Sequence, residues 1–287
     1  MDAIHRFGRP ALRTPRAVIA FEGWNDACDA ASGVAEYLLR DAGVDEPFAV
    51  IDPEEFFDFQ VRRPTVAIDD GGTRRLTWPT TKFFAIEPPT DDRDIVVVLG
   101  EEPSFRWKTF ARHVTRVLVE QDVEEVVLLG AFIGQVAHTR PVPVMGVATD
   151  PVLIDRYGLN RSNYEGPTGI IGVLQEACRE VGLPAMSLWA ATPHYLAANP
   201  NPKASLALAK RTRDILMLPT DLSSLRAEAD DFDTRVEQAV DASSELAEYV
   251  ADLEDVDEEE DAPSSDFDPD LTDDLVQEIE SFLRDQE

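Results

Sequence analysis

Two runs, Ile95-Val-Val-Val-Leu-Gly100 and Glu125-Val-Val-Leu-Leu-Gly130, restrict the fold more than any other part of the chain. Neither alternates apolar with polar residues, so neither suits a sheet with one wet face. A strand apolar on both sides needs cover on both sides, which a parallel sheet between two layers of helix provides. The segments that follow supply the cover. Residues 105–121 and 168–181 have helical periodicity, Ala185-Met-Ser-Leu-Trp-Ala190 reads as a further strand, and 202–218 as a further helix. The expected architecture is α/β, a mostly parallel sheet with helices on both faces. With 287 residues, 44% of them hydrophobic, the chain can bury a large core.

The N-terminal part starts the same pattern. Arg16-Ala-Val-Ile-Ala-Phe21 reads as a short buried strand and 26–40 as a helix, with Asp26 placed to accept from a first-turn amide as N-cap. Ala27, Ala30, Ala31, Val34, Ala35 and Leu38 give that helix a small-residue face fit for close approach to a sheet or to a partner, so Ala27, Ala31 and Val34 are candidate subunit contacts. Residues 48–52 read as a strand. Two extended runs around Asp69-Asp-Gly-Gly72 predict a β-hairpin insert over about 58–87, with 82–87 as its third strand. The stretch 139–143 reads as a loop, and 222–253 as one or two acidic outer helices. The organisation is thus an N-terminal arm (1–15), a single α/β domain (16–254), and a C-terminal part (255–287). That last part combines an acidic linker with a short amphipathic helix at 273–283, whose stripe includes Leu275, Ile279 and Phe282, candidate contacts for a partner or the chain's own body.

Charge excludes a class of partners. The formal net charge is −30, and 251–287 alone holds 17 Asp or Glu against Arg284. Binding to nucleic acid through a basic surface is not expected. No run approaches the roughly 20 apolar residues of a membrane span. Arg6, Arg9, Arg13 and Arg16 interrupt the N-terminus where a signal peptide would be apolar, so a cytoplasmic location is expected. Cys28 and Cys178 lack metal-ligand spacing and read as buried thiols; no metal and no cofactor is expected.

Ligands of open α/β sheets bind beyond the carboxyl ends of the strands. Four strands deliver polar residues there. The first ends in Glu22, with Asn25 and Asp26 beyond. The strand at 95 ends in Glu101 and Glu102, followed by Arg106 and Trp107. The strand at 125 leads to His138, Thr139 and Arg140, and the strand at 185 to His194 and Tyr195. Tyr164-Glu-Gly-Pro-Thr168 enters a helix, with Thr168 an ordinary N-cap or part of an anion site. These residues form a candidate cleft. They equally suit a network of ion pairs, because charge networks arise without catalysis. G-x-S-x-G, H-E-x-x-H and Walker lysine motifs are absent from the sequence, so no catalytic residue is assigned.

Six motifs in order, FEGWNDACDAASGVAEYL, DFQVRRP with its DGG turn and LTWP, GEEPSFRWKTF, AHTRPVPV, YEGPTGIIGVL and SLWAATPHYLAANPNPKASLAL, resemble the proteasome assembly chaperone family, second-subunit type, in its bacterial branch. The resemblance covers about 16–253. It implies a phosphorylase/hydrolase-like fold, related in shape to purine nucleoside phosphorylases. It also implies self-association, with a trimer favoured, and proteasome α subunits as partners. The chain ends Arg284-Asp-Gln-Glu287, without the hydrophobic–Tyr–any-residue ending by which tails of this kind dock. The leading expectation is a non-enzymatic homo-oligomeric chaperone or scaffold. The alternative is a small-molecule binder or hydrolase/phosphorylase-like enzyme using the polar cleft.

Overall fold

The computed structural model describes residues 3–69, 71–89, 93–197 and 200–257. In chain order these form β1 (Ile4–Arg6), β2 (Arg16–Glu22), α1 (Ala30–Ala42), β3 (Ala49–Ile51), β4 (Thr65–Ile68), β5 (Arg74–Thr77), β6 (Thr81–Ile86), β7 (Ile95–Glu101), α2 (Trp107–Glu120) and β8 (Glu125–Gly134). There follow β9 (Val144–Ala148), α3 (Pro151–Tyr157), β10 (Asn160–Arg161), α4 (Ile170–Glu180), β11 (Ala185–Pro193), α5 (Pro202–Leu216), α6 (Ser223–Ala242) and α7 (Ser244–Asp257). Nine of the strands make one sheet in the order β1-β3-β6-β7-β2-β8-β11-β9-β10. Its centre, β7-β2-β8-β11, is parallel throughout, and antiparallel strands extend it on either side. The α/β expectation holds.

Strand β2 shows why continuous apolar runs were needed. Val18 and Ala20 join one core with Ala30, Ala31, Val34 and Leu38 of α1 and Leu208 and Ala209 of α5. Ala17, Ile19 and Phe21, pointing the other way, join a second core with Phe110, Val114 and Leu118 of α2 and Ile170 and Leu174 of α4. Alternate side chains of one strand thus feed two separate cores. Gly130 in β8 serves the same packing. A Cβ there would lie 2.5 Å from the Trp189 ring of neighbouring β11, so only glycine lets the indole cross.

Several expectations change. Residues 82–87 do not complete the hairpin: β6 pairs with β3 and β7 in the main sheet, while β4 and β5 pair only with each other. The physical reason is burial, since Phe83 and Phe84 fill the two cores on opposite faces of the sheet. Ile4 to Arg6 of the N-terminal arm pair with β3, at the edge of the sheet. Strand β9 and helix α3, not foreseen, follow the loop at 139–143. The helix read over 26–40 starts later, because Ala27–Asp29 form a 3₁₀ turn in which Cys28 and Asp29 have positive φ, 56° and 51°. Residues 273–283 and most of the acidic linker lie outside the described residues.

The small-residue face of α1 is used within the chain. Ala31 and Val34 are fully buried beneath their own sheet and α5, so they are not subunit contacts; Ala27, in the turn before the helix, is partly buried. The strand ends opposite the rim carry a buried charge. Glu125 accepts from the Tyr157 hydroxyl at 2.8 Å and lies 3.7 Å from both Arg16 and Arg156.

Candidate functional site

The rim residues named from sequence fall into two groups at the C-terminal end of the parallel strands. In the first, β2 and β7 run side by side with Glu22 level with Glu101. Beyond them the chain at Asp26 makes a bridge to Ala131 of β8, and the Ala131 amide donates to the Asn25 carbonyl at 2.8 Å. Asn25 is therefore buried, and its Nδ2 donates to Glu102 Oε1 at 2.8 Å. The same oxygen accepts from the Ile170 amide at 2.8 Å, so Glu102 caps α4 from a distant strand end. This corrects the reading of Thr168 as cap: Gly169 holds the N-cap position, and Thr168 is exposed. Glycine is required there, because a Cβ at 169 would lie 2.3 Å from Asn25 Nδ2.

Asp26 acts as a cap from further away than expected. Its Oδ1 accepts from the Ala31 amide at 2.6 Å and the Ser32 amide at 3.2 Å, five and six residues on, across the 3₁₀ turn. Burial outweighs these bonds and pushes its carboxyl up to about 6. Glu22 is also raised, by burial first and by neighbouring Glu101 next, with Arg62 opposing. Arg62 Nε stands 2.9 Å from Glu101 Oε2. Sequence reading missed Arg62, which precedes the hairpin strands.

The second group surrounds the ends of β8 and β11. Tyr195 is fully buried; its hydroxyl accepts from the His138 amide at 2.7 Å and lies 2.8 Å from His138 Nδ1. His194 Nε2 meets the Tyr249 hydroxyl of α7 at 2.8 Å. The rings of His194, Tyr195 and Tyr249 meet edge to face with centroids 5.3–6.4 Å apart. Thr139 donates to Glu254 Oε1, and Arg140 Nη2 to the Glu254 carbonyl at 3.2 Å. Lys203 Nζ donates to the His138 carbonyl at 2.5 Å and pairs with Asp233 of α6 at 2.9 Å. Phe232, Val236, Leu246, Val250 and Leu253 pack here with Tyr195 and Leu196. Both histidines are pushed below the usual range, chiefly by burial, and His138 also by Lys203. Tyr249, Glu254 and Asp233 went unseen because they sit in a stretch whose dominant signal is acidity.

The remaining candidates lie apart. Arg106 pairs with Glu55 at 2.6 Å on the surface. Trp107 donates from Nε1 to the Pro103 carbonyl at 2.5 Å, holding the start of α2. Tyr164 is exposed and donates to the Pro167 carbonyl at 2.8 Å, closing its own turn. Cys28 and Cys178 are buried, with thiols pushed up by burial to about 11 and about 12. Burial of this kind favours the protonated thiol over the thiolate.

The arrangement holds little room for a small molecule beside His138. The cavity lined by Val136, His138, Pro143, Asn201, Lys203 and Phe232 has a volume of about 10 Å³, space for about one water. A larger cleft, about 160 Å³, lies at Arg6, Phe48, Val117 and Gln121, with the C-terminal end of α2 in its wall. Among the described residues no group of three or more His, Cys, Asp or Glu is placed to hold a metal ion. No helix among them is long and apolar enough to cross a membrane.

The strand ends of this mixed α/β sheet are largely closed by bonds to the chain's own helices. The PAC2 family model matches residues 20–240, and the chain belongs to that family. The crystal structure of a PAC2 family protein from Streptomyces avermitilis is 49% identical, with a TM-score of 0.77 over 82% of this chain and 99% of that one. A proteasome-assembly chaperone homologue from Mycobacterium tuberculosis is 43% identical, with a TM-score of 0.74 over 82% and 99%. An archaeal proteasome activator from Pyrococcus furiosus, 19% identical, matches with a TM-score of 0.67 over 82% and 97%, a likeness of fold alone. No significant match was found among curated proteins.

Proposed function

We propose that this chain is a non-enzymatic, homo-oligomeric assembly chaperone or scaffold that binds proteasome subunits in the cytoplasm, with a trimer as the favoured state. The observation that carries the reading is the 43% identity, over nearly the whole length of the relative, to a protein described as a proteasome-assembly chaperone homologue. The rim chemistry supports it. Glu102 and Asp26 spend their carboxylates on helix amides, and His138 and His194 bond to buried or half-buried tyrosines. Groups committed in this way stabilise a rigid binding body.

Native mass spectrometry tests the reading. The full-length protein is mixed with free proteasome α subunits, α–β assembly intermediates, and an unrelated acidic protein as control. Stoichiometric complexes with α subunits or intermediates are expected, together with a self-associated species of the free chain. A chain that stays monomeric and ignores every proteasomal species contradicts the proposal.

A further inference from the structure

In the β4–β5 hairpin all eight strand residues are exposed. The register sets Val66 opposite Leu76 and Ile68 opposite Arg74, so these four share one face. Val66, Ile68 and Leu76 are 44%, 73% and 49% exposed. A two-stranded ribbon with an open apolar face is marginal in water and gains from cover. The face is also cationic at its border. Residues 61–78 carry four arginines against Asp69 and Asp70 in a chain of net charge −30. Among the described residues Arg63 and Arg74 have no hydrogen-bond or ion-pair partner, whereas Arg62 is taken by Glu101 and Arg75 stands 3.7 Å from Asp69.

The chain contains a segment of complementary chemistry. Residues 273–283 carry Leu275, Ile279, Phe282 and Leu283 at helical spacing, with Asp273, Asp274, Glu278 and Glu280 beside them. We propose that this segment docks in cis on the Val66–Ile68–Leu76 face, its apolar stripe covering the ribbon and its carboxylates meeting Arg63 and Arg74. The geometry permits it. The hairpin leaves and rejoins the sheet at the C-terminal end of β7, through Arg62 beside Glu101 and Thr81 at the start of β6. Helix α7 reaches the same end of the sheet, where Glu254 bonds to Thr139 and Arg140 after β8. Strands β7 and β8 flank β2, about 10 Å apart. The 15 residues 258–272 can span up to about 50 Å. Docking places an acidic cover on an apolar, basic surface, and a partner using that surface has to displace it. The inference rests on the hairpin and the segment alone, and stands or falls apart from proteasome binding.

Hydrogen exchange on the full-length chain tests it, comparing wild type with Phe282→Asp and Arg74→Glu at two protein concentrations about a hundredfold apart. In wild type the amides of 65–77 are expected to be protected equally at both concentrations. In each variant they should exchange faster, by about tenfold in Phe282→Asp, while β2 and β8 keep their protection and so report an intact body. Equal exchange in wild type and Phe282→Asp overturns the proposal. Protection that disappears on dilution also overturns it, by identifying a second copy as the occupant.

Discussion

The two halves of the strand-end rim solve the same problem with opposite chemistry. Where β2 and β7 end, carboxylates face the open N-termini of α1 and α4, and Asp26 and Glu102 bond to amides that the helices leave unpaired. Where β8 and β11 end, His138, His194 and Tyr195 form a polar floor on which α6 and α7 lie, sealed by Phe232, Leu246 and Leu253. Polar groups gathered at strand ends are the usual mark of a ligand site. Here the same placement anchors helices. Convergence of polar residues locates the end of a sheet where bonds remain to be made, and whether a ligand or the chain makes them is decided by the elements that follow.

The strongest way to break the comparison is to open the helical side. Leu246 is fully buried between α7 and the rim, and Leu246→Ala is expected to cost about 3 kcal/mol. Limited proteolysis should then cut within 244–257 while the sheet stays folded. If denaturant melts show one cooperative loss of the whole chain instead, α7 is as integral as β2.

The halves should also respond oppositely to pH. Asp26 holds its proton more tightly folded than unfolded, so its contribution is full below about 4 and is lost as pH rises to about 6. The size is on the order of 3 kcal/mol. His138 and His194 hold protons less tightly when folded, so stability is lost as pH falls below about 6.5. Asp26→Asn keeps an accepting oxygen for the α1 amides. It is expected to remove the loss between about pH 4 and 6 in thermal melts, leaving the histidine-dependent slope. An unchanged profile would show that the two amide bonds offset burial at Asp26.

A smaller effect separates capping from charge. Glu102→Ala strands Asn25 Nδ2 and the Ile170 amide and should cost about 1.5 kcal/mol, whereas Glu102→Gln, which keeps an acceptor, should cost less than half as much. Equal losses would make the charge, and not the hydrogen bonds, the stabilising element. The smallest change expected is Tyr249→Phe, about 1 kcal/mol, seen by hydrogen exchange as faster opening of α7 with β2 and α1 unaffected.

Much of this was legible in the chain, for reasons that also explain the gaps. Strands β7 and β8 declared themselves because residues buried on both faces leave an unbroken apolar run. Strand β9 did not, since Pro143 and Gly146 interrupt its signal, although a Cβ at Gly146 would lie 2.6 Å from Leu159. Strand β6 was assigned to its neighbour in sequence because a Gly-rich turn advertises a hairpin, while nothing local reveals the register with β7. The rim residues could be named because strand ends are easy to place. Their partners could not: Asn25 to Glu102, Glu102 to Ile170 and His194 to Tyr249 span 77, 68 and 55 residues. Long-range bonding of that kind distinguishes a filled rim from an open cleft, and single-residue chemistry carries no record of it.

The chain's own helices bond to the rim residues, and the proposed function has no small molecule bound there. A thermal-shift screen of the full-length protein against nucleosides, inorganic phosphate, phosphosugars and amino acids tests this most directly. A ligand at a hundred times its dissociation constant would add about 2.7 kcal/mol, a rise of roughly 5–10 °C for a domain of this size. No saturable rise is expected with any of these compounds. A saturable rise abolished by His194→Ala or Arg140→Ala, with both variants folded, would contradict that expectation.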